Sequence, residues 1–300
     1  PVKEVRVRVP AKVNLTLNVG ATDNEGYHAL GTLFQAVSLF DDLVARPAEA
    51  GVFRVNFRGE GASGLPVGDT NLVVRAARLL AETCEMGNLG VEIRVHKRIP
   101  VAGGMAGGSA DAAATLVACN QLWGTGLDTG QLHAVAARLG ADVPFLLYGG
   151  TAVGTGRGEK LRSVPVSGSF QWVLALSHHG LSTPAVFREF DRISAPQPTD
   201  IDSGLLEALA DGDARRVGAL LRNDLQQAAF NLQPELADVL AMGREAGATG
   251  ALVSGSGPTI AFLADTKAIA DAISDRLVLS SRVRAVRRAH GPVPGAQIVN

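Results

Sequence analysis

A cluster of glycines between a predicted strand and a predicted helix constrains the fold of this 300-residue chain more than any other feature. Four glycines fall within the six residues 103–108. Before them, Val91–Val95 alternates apolar and polar side chains, which predicts a strand, and the alanine-rich segment from Ser109 to about Trp123 predicts a helix. Glycine lets backbone N–H groups close around a phosphate, and the start of a helix adds unpaired donors and partial positive charge. We predict a phosphate-binding loop here, with a tight turn that binds nothing as the alternative.

This phosphate loop consists of Pro100, Val101, Ala102, Gly103, Gly104, Met105, Ala106, Gly107, Gly108, Ser109 and Ala110. It is not a Walker A loop, because Ser109 stands where the lysine is required, and the Rossmann spacing does not fit either. The second glycine loop, Ser254–Thr259, lies in an apolar run. Its small residues would let another backbone approach, such as the phosphate loop; an ordinary hairpin or bulge is the alternative. We interpret a third glycine motif, Gly154–Glu159, as a turn.

The N-terminal segment predicts a strand with one apolar and one polar face. The polar face consists of Lys12, Asn14, Thr16 and Asn18. By itself this pattern fits the solvated face of an edge strand. Asp142 follows a predicted helix over residues 129–139 and by itself fits a residue that caps a turn. These side chains become candidate site residues only if the fold brings them beside the phosphate loop.

Composition excludes several classes of protein. Lysine and arginine number 28 against 29 acidic residues, so the formal net charge of −1 gives no extended field for nucleic acid or an anionic membrane. Two cysteines cannot build a disulfide framework, and no apolar run reaches the ~20 residues of a membrane span. The chain also has no nucleophile elbow, no H-E-x-x-H and no Cys/His metal cluster. We expect a soluble cytoplasmic protein that binds neither nucleic acid nor membrane.

The chain is long enough for two closely joined domains. Residues 163–169 resemble a linker, so we place the domains at 1–164 and 165–300. The helix over residues 129–139 is expected to end at Gly140, because glycine is a suitable residue just after the end of a helix. In the second half we predict helices over residues 203–210, 213–228 and 234–246. The tail from Gly291 contains two prolines, and we expect it to be loosely held.

Taken in order, three segments resemble the landmarks of the galactokinase–homoserine kinase–mevalonate kinase–phosphomevalonate kinase (GHMP) superfamily. They are Pro10–Asn14, Pro100–Ala110 and Ser254–Thr259. Four segments are similar to the particular marks of its branch in the non-mevalonate isoprenoid pathway: Ala11–Leu15, Gly26–His28, Leu139–Phe145 and Leu181–Phe187. The resemblance covers nearly the whole chain. It implies an α+β fold in which an N-terminal α/β domain carries ATP and a C-terminal ferredoxin-like domain encloses the substrate with it.

The resemblance also implies the reaction, in which ATP phosphorylates the 2-hydroxyl of 4-diphosphocytidyl-2-C-methyl-erythritol. Lys12 and Asp142 match the catalytic residues, and Asp142 takes the proton of the hydroxyl or orients it. These residue types suit phosphoryl transfer, which depends on in-line placement and on stabilisation of charge.

The remaining site residues follow from the same resemblance. Tyr27 and Phe187 match an aromatic sandwich around the cytosine, and His28 matches the residue that hydrogen-bonds its edge. The resemblance matches two further groups of residues: substrate contacts at Asn14 and Thr183, and the adenine pocket at Asn71, Leu72 and Lys97. For Tyr27 and Phe187, ordinary core packing is the alternative.

The phosphate loop departs from that of its relatives, which commonly have Leu-Gly in place of Met105-Ala106 and a second serine in place of Ala110. Ala106 disfavours a positive φ, and Ala110 removes a hydroxyl donor. We expect function to be retained, because backbone N–H groups do most of the phosphate binding. Mg²⁺ is expected to accompany ATP, with Ser109 as the one candidate ligand.

Three alternatives remain. The chain could be a GHMP kinase for homoserine or mevalonate, although Gly26–His28 and Phe187 argue against this. It could be a catalytically silent nucleotide-binding protein, which the presence of both Lys12 and Asp142 disfavours. A nucleic-acid-binding module is the weakest of the three, because the charges balance. We expect a monomer or a weak homodimer.

Overall fold

The computed structural model describes residues 2–300. Its larger sheet is built around two long antiparallel strands, β1 and β2, which pair along most of their length. The first six strands are β1 (Val5–Thr22), β2 (His28–Pro47), β3 (Phe53–Gly59), β4 (Val91–Lys97), β5 (Thr151–Thr155) and β6 (Lys160–Ser163). All six belong to this sheet, in which β4 lies between β2 and β3 and β5 pairs with both β2 and β6.

The polar face of β1 is buried. Every residue from Ala11 to Gly20 is buried, including the four polar side chains. β1 is therefore an interior strand, and the solvated-edge interpretation of its pattern is wrong. Irregularities in the pairing with β2, between Pro10 and Ala11 and between Asn14 and Thr16, shift the register along the strand.

Four helices belong to the first half of the chain: α1 (Leu72–Thr83), α2 (Gly107–Trp123), α3 (Thr129–Leu139) and α4 (Val143–Tyr148). The α2 helix packs against β1 and β2 and contacts the other three helices. Its alanines are fully buried, and their small side chains let the helix lie close to the sheet. The predicted helix over residues 129–139 is confirmed and ends at Gly140 as expected, where the backbone is extended with φ 170°.

A second, antiparallel sheet has the order β11-β7-β10-β9. Its strands are β7 (Phe170–Leu176), β9 (Gly250–Val253), β10 (Ile260–Ala264) and β11 (Ala285–Gly291). The helices of this half are α5 (Thr183–Ile193), α6 (Ser203–Asp211), α7 (Ala214–Ala219), α8 (Gln226–Leu232), α9 (Glu235–Glu245) and α10 (Lys267–Val278). Of these, α9 and α10 pack on the sheet, so the expected α+β fold is confirmed.

The predicted helix over residues 213–228 is interrupted. Between α7 and α8 the chain forms the short strand β8 (Arg222–Asn223), which runs parallel to β1. The buried Asn223 side chain donates to the carbonyl oxygens of Val253 and Gly255, at 2.8 and 2.7 Å. Helical periodicity could not reveal this break, because its partners are distant in sequence.

The C-terminal tail is held in place, contrary to expectation. Its last strand, β12 (Gln297–Val299), pairs with β1, and Ala296 N donates to Leu146 O at 2.8 Å. One hydrophobic core also includes residues of both sheets, such as Leu15 and Trp172. The division of the chain into domains at residues 164 and 165 stays a prediction. Among residues 2–300, no helix combines the length and apolar character needed to span a membrane.

Candidate active site

A cavity of about 380 Å³ lies where β1 and β2 meet the phosphate loop, the second glycine loop and the start of α5. It brings together many of the predicted site residues. Those that line it are Lys12, Asn14, Leu72, Ala102, Gly103, Gly104, Ala106, Gly107, Gly108, Ser109, Asp142, Thr183 and Phe187. Residues spread over most of the chain therefore converge on one cavity, which we call the active cavity.

The ammonium group of Lys12 is buried at the active cavity and donates a hydrogen bond to Asn14 Oδ1. Asn14 Nδ2 donates to Thr32 Oγ1 at 2.8 Å, and that hydroxyl donates to Thr16 O at 2.8 Å. This chain of hydrogen bonds fixes Lys12 against β2. Burial lowers the pKa of Lys12 below its ordinary value, and the attraction of Asp142 opposes that effect.

Asp142 is the one acidic residue that lines the active cavity. It lies between α3 and α4, and its side chain makes no capping hydrogen bond to α4. The alternative interpretation, in which the Asp142 side chain serves as a cap, therefore does not explain its position. Lys12 and Asp142 line the same cavity and form no direct ion pair with each other.

The two glycine loops pack against each other, as the small residues of the second loop suggested. Ser254 Oγ donates to Gly104 O at 3.1 Å, and Thr259 N donates to Gly103 O at 3.1 Å. Gly104 has φ 78°, and a Cβ atom there would lie 2.1 Å from Ser254 O. Only glycine allows this close approach, by which the second glycine loop holds the phosphate loop in its conformation.

The phosphate loop leads directly into α2, whose first residues line the active cavity. The residue before this helix, Ala106, has φ 59° and no side chain that could cap it. The first-turn N–H groups of Gly107, Gly108 and Ser109 have no partners within the helix and lie beside the cavity. Together with the helix dipole they form an anion site that suits a phosphate group. The strain foreseen at Ala106 is present, since this alanine occupies the left-handed region.

Of the predicted pyrimidine residues, Phe187 lines the active cavity, whereas Tyr27 and His28 do not. The rings of His28 and Phe187 stack, with centroids 5.4 Å apart. His28 Nδ1 donates to Gly20 O at 2.7 Å, because a carbonyl oxygen can only accept. Thr183 Oγ1 lies 2.8 Å from Ser256 Oγ of the second glycine loop. Tyr27 is 56% exposed, which is not the core packing considered as its alternative.

Some predicted residues lie behind the active cavity and not in its wall. Asn71 caps α1 by accepting from Val73 N at 2.9 Å. The Lys97 ammonium is buried between Asp41 and Asp111, and Asp111 Oδ2 lies 2.8 Å from it. From the phosphate loop, Pro100, Val101, Met105 and Ala110 are absent from the lining. The side chains of Asn71 and Lys97 are engaged by other groups of the protein, so their contact with adenine stays a prediction.

Several lining residues were not singled out from the sequence. They are Leu17, Leu30, Thr32, Phe34, Leu225, Gly255 and Ser256. Leu30, Thr32 and Phe34 lie at alternate positions of β2, so the two-residue period of a strand is the sequence signal that could have identified them. Gly255 and Ser256 belong to the second glycine loop, which the sequence marked as a landmark without assigning it contacts.

A larger groove of about 840 Å³ crosses the solvent-facing side of the first sheet. It is lined by six arginines, but by none of the predicted site residues. Neighbouring carboxylates pair with most of them; for example, Arg8 lies 2.9 Å from Asp42 and Arg46 lies 2.6 Å from Glu4. Such cross-strand pairs are ordinary on a solvated sheet face.

No cluster of three or more His, Cys, Asp or Glu side chains suited to a metal occurs in the part of the chain that the structure describes. Magnesium usually keeps several waters and binds through one or two protein oxygens together with substrate phosphates. Ser109 and Asp142, both in the cavity wall, fit that limited requirement.

Comparison with known proteins defines the class. Residues 71–150 match the model of the GHMP kinases N terminal domain, and residues 205–280 match GHMP kinases C terminal. A homoserine kinase from Cytophaga hutchinsonii shares the fold, with a TM-score of 0.79 at 22% identity over 99% of this chain and 98% of that one. The chain belongs to the GHMP kinase family, and like its members it uses ATP.

Closer relatives narrow the assignment. A protein named 4-diphosphocytidyl-2-C-methyl-D-erythritol kinase from Thermobifida fusca (strain YX) is 54% identical over 98% of both chains. A crystal structure of 4-(cytidine 5'-diphospho)-2C-methyl-D-erythritol kinase matches with a TM-score of 0.76 and 35% identity, over 95% of this chain and 98% of that one. Within the GHMP kinases, the chain belongs with this group.

Proposed function

We propose that this protein transfers the γ-phosphate of ATP to the 2-hydroxyl of 4-diphosphocytidyl-2-C-methyl-D-erythritol, giving ADP and the 2-phosphate. The observation that carries the proposal is the convergence of Lys12, Asp142 and the paired glycine loops on one cavity. The stacked His28 and Phe187 at its other end support a pyrimidine substrate. Relatives that carry this substrate in their name, at up to 54% identity, support the same assignment.

In the proposed mechanism, the N–H groups at the start of α2 bind the phosphates of ATP. Lys12 offsets charge on the group being transferred, from a position fixed by Asn14 and Thr32. Asp142 orients the acceptor hydroxyl and takes its proton. Phosphoryl transfer needs little more than this placement and charge stabilisation, so a cavity with one lysine and one carboxylate suffices.

Magnesium fits the site as a companion of ATP. Ser109 and Asp142 are the side chains that would hold it. Ser109 supplies a hydroxyl next to the α2 N–H groups, and Asp142 supplies the one carboxylate in the cavity wall. When bound, Mg²⁺ neutralises charge on the phosphates.

The cytosine would be recognised by stacking and by one directed hydrogen bond. Phe187 supplies a stacking surface, and Tyr27 supplies the second one from the opposite side. Because His28 Nδ1 is engaged by Gly20 O, Nε2 is the ring nitrogen left for the edge of the base. Asp191 Oδ1 now lies 2.9 Å from Nε2, so a bound base would share or replace that contact. Stacking tolerates any base, and discrimination would come from this hydrogen bond.

The remaining expectations are part of the same proposal. We place the protein in the cytoplasm as a monomer or weak homodimer that binds no nucleic acid. Two free cysteines, of which Cys119 is buried, support a reducing compartment. Sedimentation at several protein concentrations tests the oligomeric state. Oligonucleotide binding at graded salt tests the last point, since such binding would weaken steeply as salt rises.

The test of the proposed reaction is ADP release from Mg-ATP with the cytidyl substrate, measured beside homoserine and mevalonate. Turnover with the cytidyl substrate alone is expected. Turnover with another alcohol would keep the phosphate loop and discard the roles of Tyr27, His28 and Phe187. No turnover with any of the three, together with measurable ATP binding, would favour a silent nucleotide-binding protein.

A further inference from the structure

The third glycine motif, which the proposed mechanism does not use, carries an arginine that contacts the turn between β1 and β2. Arg157 lies in the turn between β5 and β6. Its Nη2 atom donates to Asp23 Oδ2 at 2.8 Å and to Glu25 Oε2 at 2.6 Å. Both acceptors belong to the turn that joins β1 to β2. Arg157 therefore ties two hairpin turns together across 134 and 132 positions of sequence.

The turn that Arg157 grips is the one that presents Tyr27. Asp23 Oδ1 accepts from Glu25 N at 2.9 Å and from Tyr27 N at 3.0 Å, and Asp23 N donates to Tyr27 O at 2.7 Å. The other oxygen of Asp23 is left for Arg157. One carboxylate therefore orders the backbone of Tyr27 and receives the guanidinium at the same time.

Arg157 also covers one face of the Tyr27 ring. The guanidinium carbon lies 3.9 Å from the ring centroid, within the range of a cation–π contact. The ring is otherwise exposed, so its opposite face is free to stack. A tyrosine at 56% exposure would ordinarily sample several rotamers, and a planar guanidinium held by two carboxylates restricts them.

The hairpin that carries Arg157 is itself anchored. Arg157 N donates to Glu159 Oε2 at 2.7 Å, which closes the turn. Leu30 N donates to Gly156 O at 2.8 Å, which joins this turn to β2 three residues after Tyr27. The position of Arg157 relative to Tyr27 is therefore set by the larger sheet.

We propose that Arg157 is a positioning residue for pyrimidine recognition, which holds the Tyr27 ring ready to stack on the cytosine. This inference rests on the proposed function. A ring ordered in advance loses less conformational freedom when the substrate binds, so the benefit falls on the cytidyl substrate alone. ATP binds at the far end of the active cavity and gains nothing from it. An ion pair that merely stabilised the two turns would change thermal stability and leave both KM values alone.

The test compares Arg157→Ala with Arg162→Ala, which removes an exposed arginine from β6 of the same hairpin. For Arg157→Ala we expect KM for the cytidyl substrate to rise about tenfold, with kcat, KM for ATP and thermal stability close to wild type. Arg162→Ala should leave every value unchanged. Arg157→Lys keeps the charge but lacks the planar fork, so we expect an intermediate KM.

A double variant separates positioning from any direct role of Arg157. In a Tyr27→Leu background, Arg157→Ala should add less than twofold to KM, because the ring it holds is gone. An undiminished tenfold effect there would overturn the inference, as would an equal rise in KM for ATP or no effect in the single variant. A wild-type protein that does not turn over the cytidyl substrate would overturn the proposed function and this inference together. Activity in the wild type with no change in Arg157→Ala would overturn the inference alone.

Discussion

At the scale of single residues, the proposed chemistry of the active cavity depends on one carboxylate, Asp142, that takes part in no capping bond or ion pair. Asp142 makes no capping bond and no direct ion pair with Lys12, so its removal breaks neither kind of contact, and the buried Lys12 loses only the more distant attraction of this carboxylate. We expect Asp142→Ala to lower kcat by about 10²- to 10⁴-fold while the Kd for ATP changes by less than about threefold. Steady-state kinetics and ATP titration measure the two quantities. Asp275→Ala, on the exposed side of α10, serves as the control. Wild-type turnover in the Asp142 variant would remove this residue from the mechanism.

Ala106 stores strain where the phosphate loop meets α2. A left-handed conformation at φ 59° costs an alanine roughly 1 kcal/mol more than a glycine. We expect Ala106→Gly to raise the free energy of unfolding by about 0.5–1 kcal/mol in urea titrations, because the added freedom of the unfolded chain offsets part of the relief. Ala237→Gly, at an exposed position within α9, should lower it by about 1 kcal/mol. The same substitution thus has opposite signs at the two sites. A loss of stability at Ala106 would show that its conformation is not strained.

At the scale of secondary-structure elements, a buried ion cluster joins the two ends of the phosphate loop. Lys97 ends β4, and Asp111 lies in the first turns of α2. Asp41 Oδ1 accepts from Arg98 N at 2.6 Å and from Ile99 N at 2.9 Å, so β2 takes part as well. Burial alone would lower the pKa of Lys97, but the two carboxylates raise it above its ordinary value. Burial raises the pKa of Asp111 well above its ordinary value, even though Lys97 opposes this.

This cluster predicts a large cost for removing its cation. Lys97→Met would leave two buried carboxylates facing each other, and we expect the free energy of unfolding to fall by about 3–5 kcal/mol. The exposed Lys160→Met is the matched control and should change it by less than about 0.5 kcal/mol. Urea unfolding at neutral pH measures both. If Lys97→Met kept wild-type stability and only weakened ATP binding, Lys97 would act in the adenine pocket, as the resemblance implies.

The sequence predicted those parts of the site whose signals are local. Four clustered glycines and an alanine-rich segment marked the segment that leads into α2, whereas the polar face of β1 was a candidate only on the condition that the fold brought it beside this loop, as it does for Lys12 and Asn14. β2 was missed, because its 20 residues carry no uniform alternation across the register shifts. β8 was read as helix, since the bonds that Asn223 makes to the second glycine loop come from residues 30 and 32 positions away. Contacts of this kind cannot be inferred from periodicity.

At the scale of the whole molecule, the C-terminal tail packs against the first half of the chain. After the second sheet, the tail passes behind the first half: Gly150 N donates to Val293 O at 2.8 Å, and Val293 N donates to Ala36 O at 3.1 Å. Two prolines suggested a loose tail, but proline lacks only its own N–H group, and the residues between the prolines and after them are free to pair. The tail also contacts α4, the helix that begins directly after Asp142.

This closure predicts that the tail supports both stability and catalysis. Removing residues 292–300 deletes β12 and the contact of Ala296 with Leu146, so we expect the free energy of unfolding to fall by on the order of 3 kcal/mol. Because α4 loses a support, kcat should fall as well, at temperatures where the protein is still folded. KM for ATP should stay near wild type, since the phosphate loop is held by the Lys97 cluster and the second glycine loop. Removal of Asn300 alone is the control. A truncated protein with unchanged urea midpoint and kcat would restore the expectation of a loosely held tail, and a loss of stability with unchanged kcat would separate the tail from the placement of Asp142.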